Sequence, residues 1–242
     1  MTLANTRPLI FVGSRSSMYD LIHIATALNK PIKGILDRQY FGNTNSICDI
    51  PLIGSELQLL DLADATANQW REECDFFVAN WWDGSEEFKN PSEHGEKLRE
   101  ARIQLLKDAN VNVINLIHPS ATIYGDRVKL GVGILVQAHA ILFNKVIIGD
   151  YCIVDWRAII GDGSILEENV IIGVDVTMAH AHIKNGARIG IKATIIPGHP
   201  KKRPIVTIGK NSKVFAGAIC YDDVADNTML THNGRRLKRL GK

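Results

Sequence analysis

The C-terminal half of the chain repeats every six residues, and this period constrains the fold more than any other feature of the sequence. Large aliphatic side chains recur at each sixth position without a break: Leu130, Val136, Leu142, Ile148, Val154, Ile160, Leu166, Ile172 and Met178. Two residues before each lies a smaller side chain, such as Ala140, Cys152 or Ala158. This alternation predicts a short strand and then a tight turn, with both sets of side chains facing inward. Three such sides close one coil of eighteen residues.

The repeat changes register near Lys184 and is interrupted later by an insertion that reads HPKKRP. The inward series continues one residue early and resumes beyond the insertion, at Ile183, Ile189, Ile195, Ile208, Val214 and Cys220. Cys152 and Cys220 occupy interior positions in this pattern, so we interpret both as buried thiols. The cysteines form no CxxC pair, and the sequence therefore predicts neither a zinc site nor a disulfide framework.

The first half of the chain has a different pattern, that of alternating strands and helices. The segment PLIFVGSRSSMYDLIHIATALN predicts a buried strand, a small-residue loop and an amphipathic helix, whose packed side carries Leu21, Ile22, Ala25 and Leu28. A second strand over 32–36 ends in Asp37. A strand, a charged helix and a last strand follow, over 74–79, 95–109 and 111–116. This order predicts a Rossmann-like α/β domain over 1–116, followed by the repeat domain over 117–242.

The composition is that of an ordinary globular protein. Of its 242 residues 45% are hydrophobic, and the net charge of +2 provides no field that would attract nucleic acid. The start MTLANTRPLIFVG lacks the apolar region of a signal peptide, and no apolar run reaches ~18 residues. We therefore expect a cytoplasmic protein without membrane insertion.

The hexads from Ile117 to Tyr221 resemble the hexapeptide-repeat family, whose members fold as a left-handed parallel β-helix. The resemblance implies a homotrimer with active sites in the grooves between neighbouring prisms. It also implies that trimer packing buries some of the outward aliphatic side chains, namely Ile141, Ile147, Ile153, Ile159, Ile165 and Ile171.

An α/β domain that leads through IHPSA into such coils resembles, over nearly the whole chain, the sugar acetyltransferases of bacterial surface-glycan biosynthesis. These enzymes N-acetylate nucleotide-linked 4-amino-4,6-dideoxy sugars, and related members O-acetylate sialic acid. The resemblance implies acetyl transfer from acetyl-CoA, as co-substrate, to the amine of a UDP-linked sugar, with no permanently bound cofactor. In the family the α/β domain holds the nucleotide, and the coils of an adjacent subunit hold acetyl-CoA.

The family's G-A-S-G-H-G loop falls on residues 13–18, where only the first glycine matches. Backbone N–H groups at the start of a helix can still hold phosphate oxygens, and Arg15 adds a positive charge. Asp37 matches an acidic residue near the nucleoside, with a turn role as the alternative. The implied substrate-binding residues are Gly13, Ser14, Arg15, Ser16, Asp37 and Asn80. Nearby, Trp81 and Trp82 either stack on a base or sugar or pack over the sheet edge.

The family's catalytic base is a histidine in a V-[ED]-H-[ED]-C turn, and the aligned hexads place A-I-I-G-D-G-S there. Asp162 thus stands in place of the histidine, and Gly163 replaces an acidic neighbour. Asp162 is a repositioned base, an acceptor that orients the amine, or an ordinary turn residue. Of the other histidines, His139 lies at a turn, and the segment M-A-H-A-H places His180 and His182 near the thioester. The catalytic candidates are Asp162 and His180.

The absence of the family's catalytic histidine affects which acceptor group, an amine or a hydroxyl, the sequence favours. Histidine, with a pKa near ~6.5, suits the proton step, whereas a carboxylate with a pKa near ~3.9 is a weak base at neutral pH. A neutral sugar amine is already nucleophilic and loses its proton after the attack, so the sequence favours N-acetylation. The alternatives are sugar O-acetylation and a catalytically silent trimer that binds a nucleotide sugar. γ-Type carbonic anhydrases bind metal on this helix, but their histidine spacing differs, and we predict no metal.

The segments G-I-K-A-T-I-I-P-G and V-F-A-G-A match those that hold acetyl-CoA in the family. The residues implied to contact it are Ala179, Gly190, Ile191, Lys192, Pro197, Lys201, Lys202, Arg203, Ala216 and Gly217. We expect the backbone N–H of Ala179 or His180 to bind the thioester oxygen. The HPKKRP insertion either meets the 3′-phosphate of CoA or is an exposed basic loop.

Overall fold

The computed structural model describes residues 7–14, 18–79, 91–197 and 205–238, with the backbone alone for 91–95. The chain divides into two compact units, Met1–Leu116 and Ile117–Lys242. Within the described part of the chain, no helix is long and apolar enough to cross a membrane.

The first unit is built on a five-stranded sheet in the order β3-β4-β2-β1-β5. Its elements are β1 (Leu9–Val12), α1 (Met18–Ala27), β2 (Ile32–Leu36), β3 (Ser46–Ile47), β4 (Ile50–Gly54), a 3-10 helix (Glu56–Leu60), α2 (Ala65–Glu73), β5 (Asp75–Val78) and α3 (Pro91–Asp108). The strands β4, β2, β1 and β5 run parallel, and β3 pairs antiparallel with β4. The loops that follow β1, β2 and β4 therefore meet at the carboxyl edge of the sheet.

Most of the predicted elements of this unit form, with two differences at their ends. α1 ends at Ala27 because Asn29 turns the chain with a left-handed backbone (φ 52°), and Leu28, predicted on the packed side, is 41% exposed. The predicted strand over 111–116 is wrong. Val113 makes only an isolated bridge to Phe76 before the chain enters the repeat.

The β3–β4 hairpin was not predicted from the sequence. Its two-residue turn consists of Cys48 and Asp49, which both adopt a left-handed backbone (φ 50° and 63°). Such turns usually contain glycine or asparagine, so the sequence lacks the ordinary signal for this hairpin.

The second unit is a parallel β-helix with three sheets. Its strands are β6 (Leu116–Ile117), β7 (Thr122–Ile123), β8 (Lys129–Leu130), β9 (Leu135–Val136), β10 (Ile141–Leu142), β11 (Ile147–Ile148), β12 (Ile153–Val154), β13 (Ile159–Ile160), β14 (Ile165–Leu166), β15 (Ile171–Ile172), β16 (Thr177–Met178), β17 (Ala181–Ile183), β18 (Arg188–Ile189), β19 (Thr194–Ile195), β20 (Val206–Ile208), β21 (Lys213–Val214), β22 (Ile219–Cys220), β23 (Thr228–Leu230) and β24 (Arg236–Lys238). From β7 to β19, each strand pairs in parallel with the strand three further along the chain. One coil therefore supplies one strand to each sheet.

The interior of the β-helix is the aliphatic ladder that the repeat predicts. The large and small positions together form one buried cluster, which includes Val136, Leu142, Cys152, Val154 and Cys220. The register change is also confirmed, because Leu166 pairs with Ile183 instead of the residue that follows it. Beyond the insertion, Ile183 pairs with Ile208, as the resumed series requires.

The corners of the β-helix depend on residues with left-handed backbone, one at each turn. They recur every six residues at Gly133, His139, Lys145, Tyr151, Arg157, Gly163, Asn169 and Asp175. This conformation is costly for residues with a Cβ, and it persists because the coils above and below fix the chain.

Burial predicts which valines stabilise the β-helix. Val154 is fully buried in β12, so Val154→Ala should lower the free energy of unfolding by about 2 kcal/mol in urea denaturation. Val132 lies at a corner and is 46% exposed, and Val132→Ala should change that free energy by less than about 0.5 kcal/mol. Equal losses in the two variants would contradict the inward assignment.

Candidate functional site

In the first unit, the ends of β1 and β2 are joined by a buried carboxylate. Asp37 has no exposed surface, and its Oδ2 accepts hydrogen bonds from the backbone N–H and the hydroxyl of Ser14 (2.8 and 2.7 Å). Its Oδ1 accepts from the N–H of Gln39 (3.0 Å) and from Nη2 of Arg102 (2.9 Å). Both carboxylate oxygens therefore have two donors each.

Arg102 extends this arrangement to the end of a third strand. It lies on α3, and 1% of its side chain is exposed. Its Nε donates a hydrogen bond to Oε1 of Glu56 (3.1 Å), which lies in the 3-10 helix that follows β4. The other oxygen of Glu56 accepts from the N–H of Arg38 (2.6 Å). Buried charges persist in proteins when they are paired and hydrogen-bonded. The ion cluster of Asp37, Glu56 and Arg102 thus fixes the loops after β1, β2 and β4 relative to one another.

The carboxylate of Asp37 is buried against protein donors, and in this structure it positions the loop after β1. Its predicted contact with a nucleoside stays a prediction. Ser14 likewise gives its hydroxyl to Asp37, and Gly13 turns the loop with a left-handed backbone (φ 86°). Sequence reasoning missed Glu56 and Arg102, because the two are 46 residues apart and no local pattern links them.

Several predicted binding residues lie outside the described part of the chain. They are Arg15, Ser16, Asn80, Trp81, Trp82, Lys201, Lys202 and Arg203. Their roles stay predictions.

In the second unit, the corner before β17 is one residue shorter than those preceding it. The left-handed residue after Asp175 is His180, five residues later, and the spacing of six then returns at Gly186 and Lys192. The shortened corner, Ala179–His180, is therefore where the register of the repeat changes. It stacks on the corner that contains Asp162, since the N–H of His180 donates to the Asp162 carbonyl (3.3 Å).

The glycines beside Asp162 make room for this stacking. A Cβ at Gly161 would lie 2.7 Å from the Met178 carbonyl oxygen, so the acidic residue that the family has there does not fit. A Cβ at Gly163 would lie 3.7 Å from Nδ1 of His180, which places the imidazole beside this glycine. The structure thus brings both predicted catalytic residues, Asp162 and His180, to adjacent corners, with both side chains exposed.

The backbone N–H groups that were predicted to bind the thioester oxygen have partners within the β-helix. The N–H of Ala179 donates to the carbonyl of Ile195 (3.1 Å), and that of His180 donates to Asp162. Both groups belong to the hydrogen bonds that join successive coils. At this corner the imidazole of His180 is therefore the better candidate for a donor to substrate.

A histidine–carboxylate pair lies next to the shortened corner. Nε2 of His182 is 2.8 Å from Oε1 of Glu167, and both side chains are about one-third exposed, at 33% and 38%. Glu167 was not among the predicted site residues. The signal that could have found it is its place two residues after Ile165, the residue that pairs with His182 from the preceding coil.

The residues predicted to contact acetyl-CoA fall into two rows within this chain. Ala179 and Pro197 follow β16 and β19, at one edge of a sheet. Gly190, Ile191 and Lys192 precede β19, and Ala216 and Gly217 precede β22, at the opposite edge of the same sheet.

The second row contains a charged pair beside Lys192. Nε and Nη2 of Arg157 donate to the two carboxylate oxygens of Asp175 (2.7 and 2.9 Å). The hydrogen bond from Arg157 lowers the pKa of Asp175, and a smaller contribution comes from the charge of Lys192. With two cations against one carboxylate, this edge suits a phosphate group. No metal-binding cluster of His, Cys, Asp or Glu occurs among the described residues.

The fold is shared with solved structures, two of which are acetyltransferases by their names. WeeI from Acinetobacter baumannii is 18% identical over 95% of this chain and 99% of its own, with a TM-score of 0.73. A mutant of GDP-perosamine N-acetyl transferase from Caulobacter crescentus, in complex with CoA and GDP-perosamine, is 22% identical over 93% of each chain (TM-score 0.65). The acetyltransferase domain of PglB from Neisseria gonorrhoeae is 21% identical over 96% of this chain and 100% of its own (TM-score 0.63). No protein-family model and no curated protein matches the chain.

The ion cluster predicts a large cost for removing its central acid. Asp37→Ala would leave the buried Arg102 without one of its two carboxylates, and the free energy of unfolding should fall by about 3–5 kcal/mol in urea denaturation. Asp108 is exposed at the end of α3, and Asp108→Ala should cost less than about 0.5 kcal/mol. If Asp37→Ala is as stable as this control, the cluster does not hold the loops.

Proposed function

We propose that the protein is an acetyl-CoA-dependent N-acetyltransferase that acts on a nucleotide-linked 4-amino-4,6-dideoxy sugar in bacterial surface-glycan biosynthesis. The observation that carries this proposal is the shortened corner, where the His180 imidazole lies beside Gly163 and next to Asp162. Support comes from a fold shared with an N-acetyltransferase that was crystallised with CoA and GDP-perosamine. The cytoplasm, where acetyl-CoA is available, is the proposed compartment.

The two corner residues have complementary chemistry for this reaction. The amine nitrogen attacks the thioester carbonyl carbon, and negative charge develops on the carbonyl oxygen. The exposed His180 imidazole donates a hydrogen bond to that oxygen, a role that the backbone N–H groups here do not take because they join the coils. The Asp162 carboxylate accepts a hydrogen bond from the amine and orients its lone pair.

The acceptor is an amine and not a hydroxyl for a chemical reason. A neutral amine attacks first and loses its proton afterwards, so the attack itself does not need the histidine that Asp162 replaces. O-Acetylation is the second candidate function, and a trimer that binds a nucleotide sugar without turnover is the third.

We place the nucleotide on the first unit, a Rossmann-like fold in this proposal. The loop after β1, with Gly13, Ser14, Arg15 and Ser16, holds the diphosphate, and Asp37 positions that loop through the ion cluster. Asn80 contributes from the second loop. The proposed base is uracil, and the guanine of GDP-perosamine in the Caulobacter structure makes GDP the alternative.

We place acetyl-CoA along the β-helix, which is left-handed in this proposal and assembles into a homotrimer. The two rows of predicted contact residues lie at opposite edges of one sheet, and neighbouring subunits of a trimer would bring such edges together into one groove. Exposed outward side chains such as Ile147 and Ile219 would then be covered. The insertion with Lys201, Lys202 and Arg203 would meet the 3′-phosphate.

Thiol release tests the reaction. Purified protein with acetyl-CoA should release CoA thiol when a UDP- or GDP-linked 4-amino-4,6-dideoxyhexose is added, and mass spectrometry should show one acetyl group in place of a hydrogen on the sugar. The matched control is the same nucleotide sugar with a hydroxyl at C4. Turnover with the hydroxyl sugar alone would favour O-acetylation, and turnover with neither would favour the silent binding trimer.

The role of Asp162 has its own test. Asp162→Asn and Asp162→Ala should lower kcat by about 10-fold or more, because the orienting acceptor is lost, while the acetyl-CoA KM changes less than about 3-fold. Asp126 is an exposed acid in the first coil, and Asp126→Asn should leave both constants unchanged. Full activity in both Asp162 variants would make this residue an ordinary corner residue.

A further inference from the structure

The pair formed by His182 and Glu167 has no role in the reaction described so far. Oε1 of Glu167 lies 2.8 Å from Nε2 of His182, and Oε2 accepts a hydrogen bond from the backbone N–H of Asn185 (2.9 Å). Two separate contacts therefore fix the carboxylate, and the carboxylate in turn fixes the plane of the imidazole. An exposed histidine without such a partner, such as His180, is not oriented in this way.

The pair lies close to the proposed reaction centre. On β17, Ala181 and Ile183 are buried in the core, so His182 between them points outward. His182 lies only two residues beyond the corner residue His180, and two residues span at most about 7 Å along an extended chain. With one-third of its side chain exposed, His182 can touch a substrate that lies across the corner.

The hydrogen bond to Glu167 sets the chemistry of the ring. In the neutral imidazole, Nε2 carries the proton that is donated to the carboxylate, and Nδ1 carries the lone pair. Nδ1 of His182 has no hydrogen-bond partner within the described ranges. The contact with Glu167 therefore holds the ring in the tautomer whose Nδ1 lone pair can accept a proton.

We propose, on the basis of the N-acetyl transfer above, that His182 is a catalytic base whose Nδ1 takes the proton of the attacking amine, and that Glu167 is its positioning residue. The amine nitrogen bonds to the carbonyl carbon, and one of its protons moves to Nδ1. The tetrahedral intermediate then collapses with cleavage of the C–S bond. The CoA thiolate takes the proton from the imidazolium, which leaves an N-acetyl sugar, CoA thiol and neutral His182.

This assignment divides the work of the absent family histidine among three side chains. Asp162 orients the amine, His180 stabilises the carbonyl oxygen, and His182 accepts the proton. The flanking strands add no competing charge on the outward face. Opposite His182, β14 presents Ile165 and β20 presents Thr207.

Among the described residues, few charged groups lie around His182. Glu167 faces it from beyond β14, Lys184 follows the end of β17, and Asp223 accepts the N–H of Thr207 on the far side. Of these three residues, Glu167 is the one that contacts the ring directly.

Steady-state kinetics of the full-length protein with acetyl-CoA and the 4-amino sugar that gives wild-type turnover test this proposal. His182→Gln should lower kcat by about 100-fold or more, with the acetyl-CoA KM within about 3-fold. It should also remove the acidic limb of the kcat–pH profile. Glu167→Gln should lower kcat by about 10-fold and leave the acetyl-CoA KM within about 3-fold, because the imidazole loses the carboxylate that fixes its plane and its tautomer. His232→Gln, an exposed histidine near the end of the β-helix, is the matched control and should match wild type.

The outcomes separate this proposal from the proposed function. Wild-type turnover together with an unchanged kcat and acidic limb in His182→Gln would overturn the base assignment and leave the N-acetyltransferase standing. A limb that disappears in His180→Gln and stays in His182→Gln would overturn it in favour of His180. A limb that stays in place in every variant belongs to the sugar amine and also overturns it. Absence of turnover in wild type with every amino sugar overturns both proposals.

Discussion

Stacking of successive coils through parallel backbone hydrogen bonds is the constraint on which the second unit depends. Each strand is only two or three residues long, so one pair of strands contributes little by itself. The coils persist because every sheet repeats the same pairing, as in Ile141 with Ile159 and Ile159 with Thr177, over a continuous aliphatic interior. The corners must then turn within a few residues. The backbone of residues such as Tyr151 and Arg157 therefore adopts the left-handed conformation.

This stacking also determines where chemistry can occur. A corner whose N–H and carbonyl groups join the neighbouring coils has few backbone groups to offer a substrate. The groups that can contact a substrate are therefore the side chains that point outward from the strands or project at the corners. The shortened corner is distinctive because Ala179 and His180 stack closely on two glycines, and this brings an imidazole beside Asp162. His182 then follows on the outward face with its carboxylate partner already in place.

The first unit depends on a different interaction, which holds its loops in place at the carboxyl edge of the sheet. Three loops there are tied by charges that are almost completely buried, with Arg102 between Asp37 and Glu56. Burying such charges is costly unless each finds its partners, and every carboxylate oxygen of the cluster does. These contacts position the loop after β1.

The sequence by itself determined the β-helix interior, the change of register and the first α/β elements, because periodic burial is a local property that a six-residue pattern displays directly. It also brought Asp162 and His180 forward as neighbours in the repeat. The sequence alone did not predict the long-range contacts. The ion cluster joins residues up to 65 positions apart, and the Glu167–His182 pair joins two successive coils. Only the tertiary structure decided that Asp37 is buried, that the corner N–H groups are occupied and that the predicted strand over 111–116 does not form. Each of these outcomes depends on tertiary contacts between residues that are distant in the sequence, and a single sequence does not show which of them are in contact.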